Sequence, residues 1–227
     1  MGMAIDKKFL LCYTCIISGL PQRDAIENRN TASDFAITST QSLRMTCYME
    51  YLGFYPLLGI GEIRKGDDVA GQLIDALERG GHRPQSGDVL VVVHKIISKA
   101  EGRQVALADV VPGERARELA AATGKHPALV QLILEESEEV VAVQRGILMC
   151  RSRLGWICAN AGVDQSNAVD ADHAILPPLD PDASAREISR RLEAHFGSKV
   201  AVIISDTHGR PLREGIVGVA IGCWGMD

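Results

Sequence analysis

Aromatic residues make up only 4% of this 227-residue chain, so its core must be built from Val, Ile, Leu and Ala. Hydrophobic residues still reach 46% and charged residues 23%, a balance that supports a packed interior. No unbroken apolar run approaches the roughly 20 residues that a membrane-spanning helix needs. An excess of positive charge is missing as well. The net charge is −5, which argues against a general nucleic-acid binder, although basic residues can still converge on an acidic substrate. There is no G-x-x-x-x-G-K-[ST] loop, so a bound nucleotide would not use a P-loop. No G-x-G-x-x-G opens a helix after a strand, which disfavours an NAD site. The six cysteines are irregularly spaced, and Cys12-x-x-Cys15 has no second pair nearby. Four zinc ligands are therefore not evident, and reduced thiols in the cytoplasm are expected.

Residues 1–48 read as an N-terminal extension, flexible or not native. Phe9 to Leu20 is apolar and follows Lys7 and Lys8, in the manner of a signal peptide, but no small-x-small cleavage site follows. Asn28 to Ser42 is polar and lacks a period. A different kind of sequence begins at Met49, so residues 49–227 are expected to form the folded domain, with Met49 or Met45 as its natural start.

From there the pattern alternates. Asp67 or Asp68 caps a helix carrying Val69, Leu73, Ile74 and Leu77 on one face, ended by Gly80-Gly81. Val89 to Val93 is the pattern of a strand covered on both faces. Helices are expected over 114–122 and 127–138, and Glu135, Glu136, Glu138 and Glu139 read as an exposed helix end. Two short strands are expected between Gly146 and Ala159. Ser184-Ala-Arg-Glu187 fits a capping box for a helix closed by Gly197. Lys199 to Ser205 is another strand, and 218–222 is strand-like.

Polar residues cluster just after the apolar strands, where α/β proteins bind ligands. The clusters are His94, Lys95, Ser98, Lys99, Glu101 and Arg103; Asn160 to Asn167, with Asp164 and Ser166; and Asp206-Thr-His-Gly-Arg210, with Arg213. Carboxylates with hydroxyl and amide oxygens suit Mg²⁺ or Mn²⁺. Lysine and arginine suit phosphate. Plainer readings compete. Asp206 could be a turn cap, Asp164 and Asn167 an Asx-turn pair, Lys99 a solvated charge, His94 a packed histidine and Cys158 a small core residue.

The stretches Gly87 to Arg103, Cys158 to Asn167, Leu176 to Arg186 and Ile203 to Arg213 resemble, in order and spacing, four signatures of the F420-0:γ-glutamyl ligases. The resemblance runs from about Pro56 to Asp227. It implies a two-domain α+β fold in an intertwined homodimer. It also implies amide-bond formation between L-glutamate and coenzyme F420-0, driven by GTP through an acyl phosphate. The implied ions are Mg²⁺ or Mn²⁺, with a monovalent cation such as K⁺. By motif, Asp164, Asp206 and Thr207 resemble metal ligands. Ile60, Gly61, Glu62, Ile63, Lys99 and Asn167 resemble GTP contacts. His94 and Lys95 stand where relatives carry a Ser-Thr-like pair, and Ile-Gly-Glu-Ile stands where Leu-Pro-Leu-Ile is frequent. Arg210 and Arg213 are candidate catalytic anion-binding residues on their chemistry alone. The family pattern continues beyond Asp227, so an incomplete site and a weak or absent ligase activity are expected of residues 49–227. The rival readings are a related ligase with another carboxylate acceptor and a non-catalytic remnant that binds nucleotide.

Overall fold

The computed structural model describes residues 14–18, 53–144, 146–209 and 216–226. Its central sheet has five strands: β1 (Cys15–Ser18), β2 (Gly53–Pro56), β3 (Val89–Val93), β9 (Ala201–Gly209) and β10 (Ile216–Trp224), in the order β10-β9-β3-β1-β2. β3 and β9 run parallel, and the other pairings are antiparallel. Helices α1 (Val69–Arg79) and α5 (Pro181–Phe196) lie against it, and α2 (His94–Ala100) leaves the end of β3 directly. Leu73, Leu77, Leu90, Val92, Leu192, Val202 and Ile204 are fully buried in this aliphatic core. The unbroken apolar run of β3 predicts equal cover on both faces, but its burial alternates: Leu90 and Val92 are fully buried, while Val89, Val91 and Val93 are half-buried.

A second apolar cluster lies under a three-stranded antiparallel sheet of β5 (Ser137–Gln144), β6 (Ile147–Ser152) and β7 (Ile157–Ala159). Helices α3 (Glu114–Thr123) and α4 (Pro127–Glu135) pack there, with Val130, Ile133 and Leu148 fully buried. A two-stranded ribbon of β4 (Gln104–Ala106) and β8 (His173–Ile175) completes an α+β architecture.

Several expectations hold in detail. Asp68 accepts from Gly71 N at 3.0 Å as the cap of α1. Gly197 ends α5 with φ +75°, a left-handed conformation that glycine adopts without strain. Others are corrected. Residues 15–18 lie inside the presumed flexible extension, yet they form an inner strand paired on both sides, and Ile16 is 3% exposed. The rest of residues 1–48, apart from Thr14, lies outside the described residues. Helix α4 stops at Glu135, and Glu138 and Glu139 belong to strand β5, where Glu139 pairs with Arg151. Helix α5 starts before the expected capping box: Asp180 caps it through Ala183 N at 2.8 Å, and Pro181 at the first turn needs no partner for a backbone N–H.

Candidate active site

The site follows from one register. β3 and β9 are parallel with Val93 opposite Ser205, so the next residues, His94 at the start of α2 and Asp206 still within β9, stand side by side. His94 Nε2 lies 3.2 Å from Asp206 Oδ1, within ion-pair reach but outside hydrogen-bond geometry. His208, two residues along β9 and therefore on the same face as Asp206, has its Nε2 3.0 Å from Oδ2. One carboxylate thus sits between two imidazoles. Burial would push the Asp206 pKa up, but the contacts with His208 and His94 outweigh it and hold the group well below the usual carboxylate range.

Lys95, the next residue after His94, reaches Asp164. Its Nζ forms an ion pair with Asp164 Oδ2 and donates to Ser166 Oγ at 2.7 Å. The Ser166 hydroxyl donates to Oδ2, and its backbone N–H donates to Oδ1 at 2.9 Å. Burial works against ionisation of Asp164 too, and the Lys95 and Ser166 bonds again win, leaving its pKa lowered. Its backbone is held by reciprocal bonds to Ile175, of 3.0 and 2.7 Å. The turn before it places Asn160, Ala161 and Gly162 at positive φ. A Cβ on Gly162 would lie 3.8 Å from Asp206 Oδ2, so the Asp164 loop packs directly on the Asp206 site.

Beside this lies a cleft of about 410 Å³. Ile60, Gly61, Glu62, Ile63, Lys95, Lys99 and Asn167 all line it, so seven residues singled out in the sequence share one wall-to-wall space. Lys95 and Lys99 are one helical turn apart on α2 and face it together. His94 is buried behind it.

The structure does not assemble every expected group. Alternation along β9 turns Thr207 to the face opposite Asp206, and its side chain is exposed. Among the described residues no three His, Cys, Asp or Glu side chains form a metal-binding group. The donor chemistry still suits a hard cation: two ionised carboxylates and a buried Asn160 Oδ1 that lacks a hydrogen-bond partner. Arg210 and Arg213 lie outside the described residues. Cys158 is a core residue, as its position in a strand suggests. Burial, with Asp206 and Cys150 close by, pushes its thiol pKa up to about 12, which makes it a poor nucleophile at neutral pH. His208 and Ser166 were not assigned roles from sequence; the period of two along a strand would have found the first.

A sequence model of the F420-0:Gamma-glutamyl ligase family matches residues 58–227. The chain belongs to that family. Relatives named coenzyme F420:L-glutamate ligase include the protein of Methanothermobacter thermautotrophicus, 46% identical over 74% of this chain and 67% of its own length. Those of Methanopyrus kandleri and Archaeoglobus fulgidus are also 46% identical, over 73% and 76% of this chain and 63% and 66% of theirs. The chain thus spans about two-thirds of the length of these F420 ligases. All four signature stretches lie within the matched region, and among the described residues no helix is long and apolar enough to cross a membrane.

The two carboxylates make acid sensitivity predictable. Both have folded pKa values below the unfolded value of about 3.9. Their stabilisation is complete above that unfolded value and is lost as pH falls through the lowered folded values. Acid unfolding followed by circular dichroism should therefore steepen below about pH 4. Asp206→Asn should flatten that dependence, and an identical acid profile in the variant would disprove the assignment.

Proposed function

We propose that this protein joins L-glutamate to coenzyme F420-0 by an amide bond, using GTP and a divalent metal. The observation that carries the reading is Lys95: it lines the cleft and its Nζ also binds Asp164, so the cleft adjoins that carboxylate.

The chemical task is to make a poor acyl donor reactive. Transfer of the γ-phosphoryl group to the coenzyme carboxylate gives an acyl phosphate and GDP. The glutamate amine then attacks the acyl carbon, the C–O bond to phosphate breaks, and the nitrogen loses a proton as the amide forms. Such phosphoryl transfer depends on positioning and charge neutralisation. Lys95 and Lys99 supply fixed positive charge for phosphate oxygens on one wall, and the 57–63 segment forms the other. Asp164 and Asp206, held ionised, would hold Mg²⁺ or Mn²⁺, which supplies further neutralisation of phosphate charge when bound. His94, His208 and Ser166 keep those carboxylates oriented. The proposal includes a cytoplasmic homodimer.

Protein incubated with GTP, Mn²⁺ or Mg²⁺, glutamate and coenzyme F420-0 should yield a product heavier by one glutamyl residue, read by mass spectrometry, and EDTA should abolish it. Amide formation on other carboxylates but not on coenzyme F420-0 would replace the acceptor. Nucleotide binding without any product would leave only a binding role.

A further inference from the structure

The cleft contains its own anion. Among the described residues lining it, Glu62 is the only acid, and its Oε1 lies 2.5 Å from Lys99 Nζ. The two partners differ sharply: the Lys99 side chain is 11% exposed and that of Glu62 is 71% exposed. Lys99 is thus fixed in the wall, while Glu62 reaches over it from the solvent side. The other cation of the cleft, Lys95, already binds Asp164 and Ser166 inside the protein. Lys99 is therefore the cation whose partner can leave at small cost. The space beside Glu62 is open, since Gly61 has nothing within 4 Å of where a Cβ would stand.

We propose that Glu62 is an internal competitor for the anion subsite at Lys99, and that it makes the cleft select multiply charged phosphates over single carboxylates. A ligand carboxylate that displaces Glu62 exchanges one carboxylate for another and gains nothing. A polyphosphate chain brings several charges and enough length to meet Lys99 while its neighbours face the rest of the wall, so it gains where a carboxylate does not. The consequence is specific to a reaction with several carboxylate reactants: Glu62 keeps them off the subsite that the phosphates need. The identity of the phosphate ligand as a nucleotide rests on the function proposed above; the competition itself does not.

The test uses the full chain without added metal and measures binding of inorganic tripolyphosphate, GTP, guanosine and acetate by calorimetry. Glu62→Gln keeps the shape of an exposed side chain and should fold normally. It should tighten tripolyphosphate and GTP by roughly two- to five-fold at low salt, the range expected for an exposed ion pair. The gain should shrink as salt screens it. Guanosine should be unaffected, and acetate, which wild type should not bind, should begin to bind. In a Lys99→Ala background the same substitution should change nothing. Unchanged or weaker tripolyphosphate binding in Glu62→Gln would overturn the proposal, as would tripolyphosphate binding to neither protein. If tripolyphosphate tightens but GTP binds no better than tripolyphosphate, Glu62 keeps its role and the nucleotide reading falls. If GTP binds well and is indifferent to Glu62→Gln, the reverse holds.

Discussion

Asp206→Asn should lower turnover by about 10²–10³-fold, the usual cost of removing one preorganised electrostatic group from an active site. It should do so in a protein that still folds, although the stabilisation given by the ionised carboxylate at neutral pH goes with it. Asn has the shape of Asp, and its amide oxygen can still accept from Thr207 N, which now donates to Oδ1 at 2.6 Å. The charge that disappears was a costly one to bury, and an amide in its place still lies within hydrogen-bond reach of His208. The variant would instead lose the anionic end of the site, where Asp206 of β9 meets His94 just past the end of β3. Rate by product mass and melting by calorimetry separate the two outcomes. A melting temperature that collapses along with turnover would make Asp206 a structural residue, and undiminished turnover would remove it from the chemistry.

The parts of this site differ in how far the sequence disclosed them, and the difference is physical. The β3 run Val89 to Val93 is local and unambiguous, and local pattern also narrows the cap of α1 to Asp67 or Asp68, of which Asp68 serves. The end of β3 is not: Ile96 and Ile97 prolong the apolar pattern into α2, and short apolar runs do not distinguish strand from buried helix. The meeting of Asp206 with His94 depends on a parallel pairing between strands over a hundred residues apart, which no local pattern encodes. The motif resemblance groups Asp206 with Asp164 and Thr207 and places His94 among the nucleotide contacts, so it does not supply the partners. Lys95 bound to Asp164, and Glu62 bound to Lys99, are side-chain choices visible only once the chain is folded. β1 was missed for a related reason. Four residues, Cys-Ile-Ile-Ser, carry too little pattern to be told from a tail, and what makes them a strand is the pair of neighbours on either side.

Gly222→Ala should destabilise the fold by about 1–3 kcal/mol, the cost of overpacking a filled interior. Gly222 lies in β10 at an irregularity in its pairing with β9, directly beneath the start of α5. A Cβ there would stand 2.5 Å from the Pro181 carbonyl carbon, 2.6 Å from its Cβ and 2.7 Å from its oxygen. Two of those three atoms are backbone, so no side-chain rotation relieves the contact. Nor can the helix end simply move away. Asp180 caps it through Ala183 N, and Asp182 Oδ1 accepts from Cys223 N at 2.7 Å, which ties the first turn to the residue after the glycine. Either β10 bends away from β9 or α5 tilts off the sheet, and both disturb the core holding Ile188, Val202 and Ile221. For a protein of this size the loss corresponds to a fall of roughly 2–12 °C in melting temperature. The same strand contains its own control. A Cβ on Gly218 would meet only Ser205 Oγ, at 3.4 Å, so Gly218→Ala should stay within about 0.5 kcal/mol of wild type. Calorimetry on the two variants decides the matter: equal melting temperatures would mean that α5 does not cross β10 at Gly222 as described.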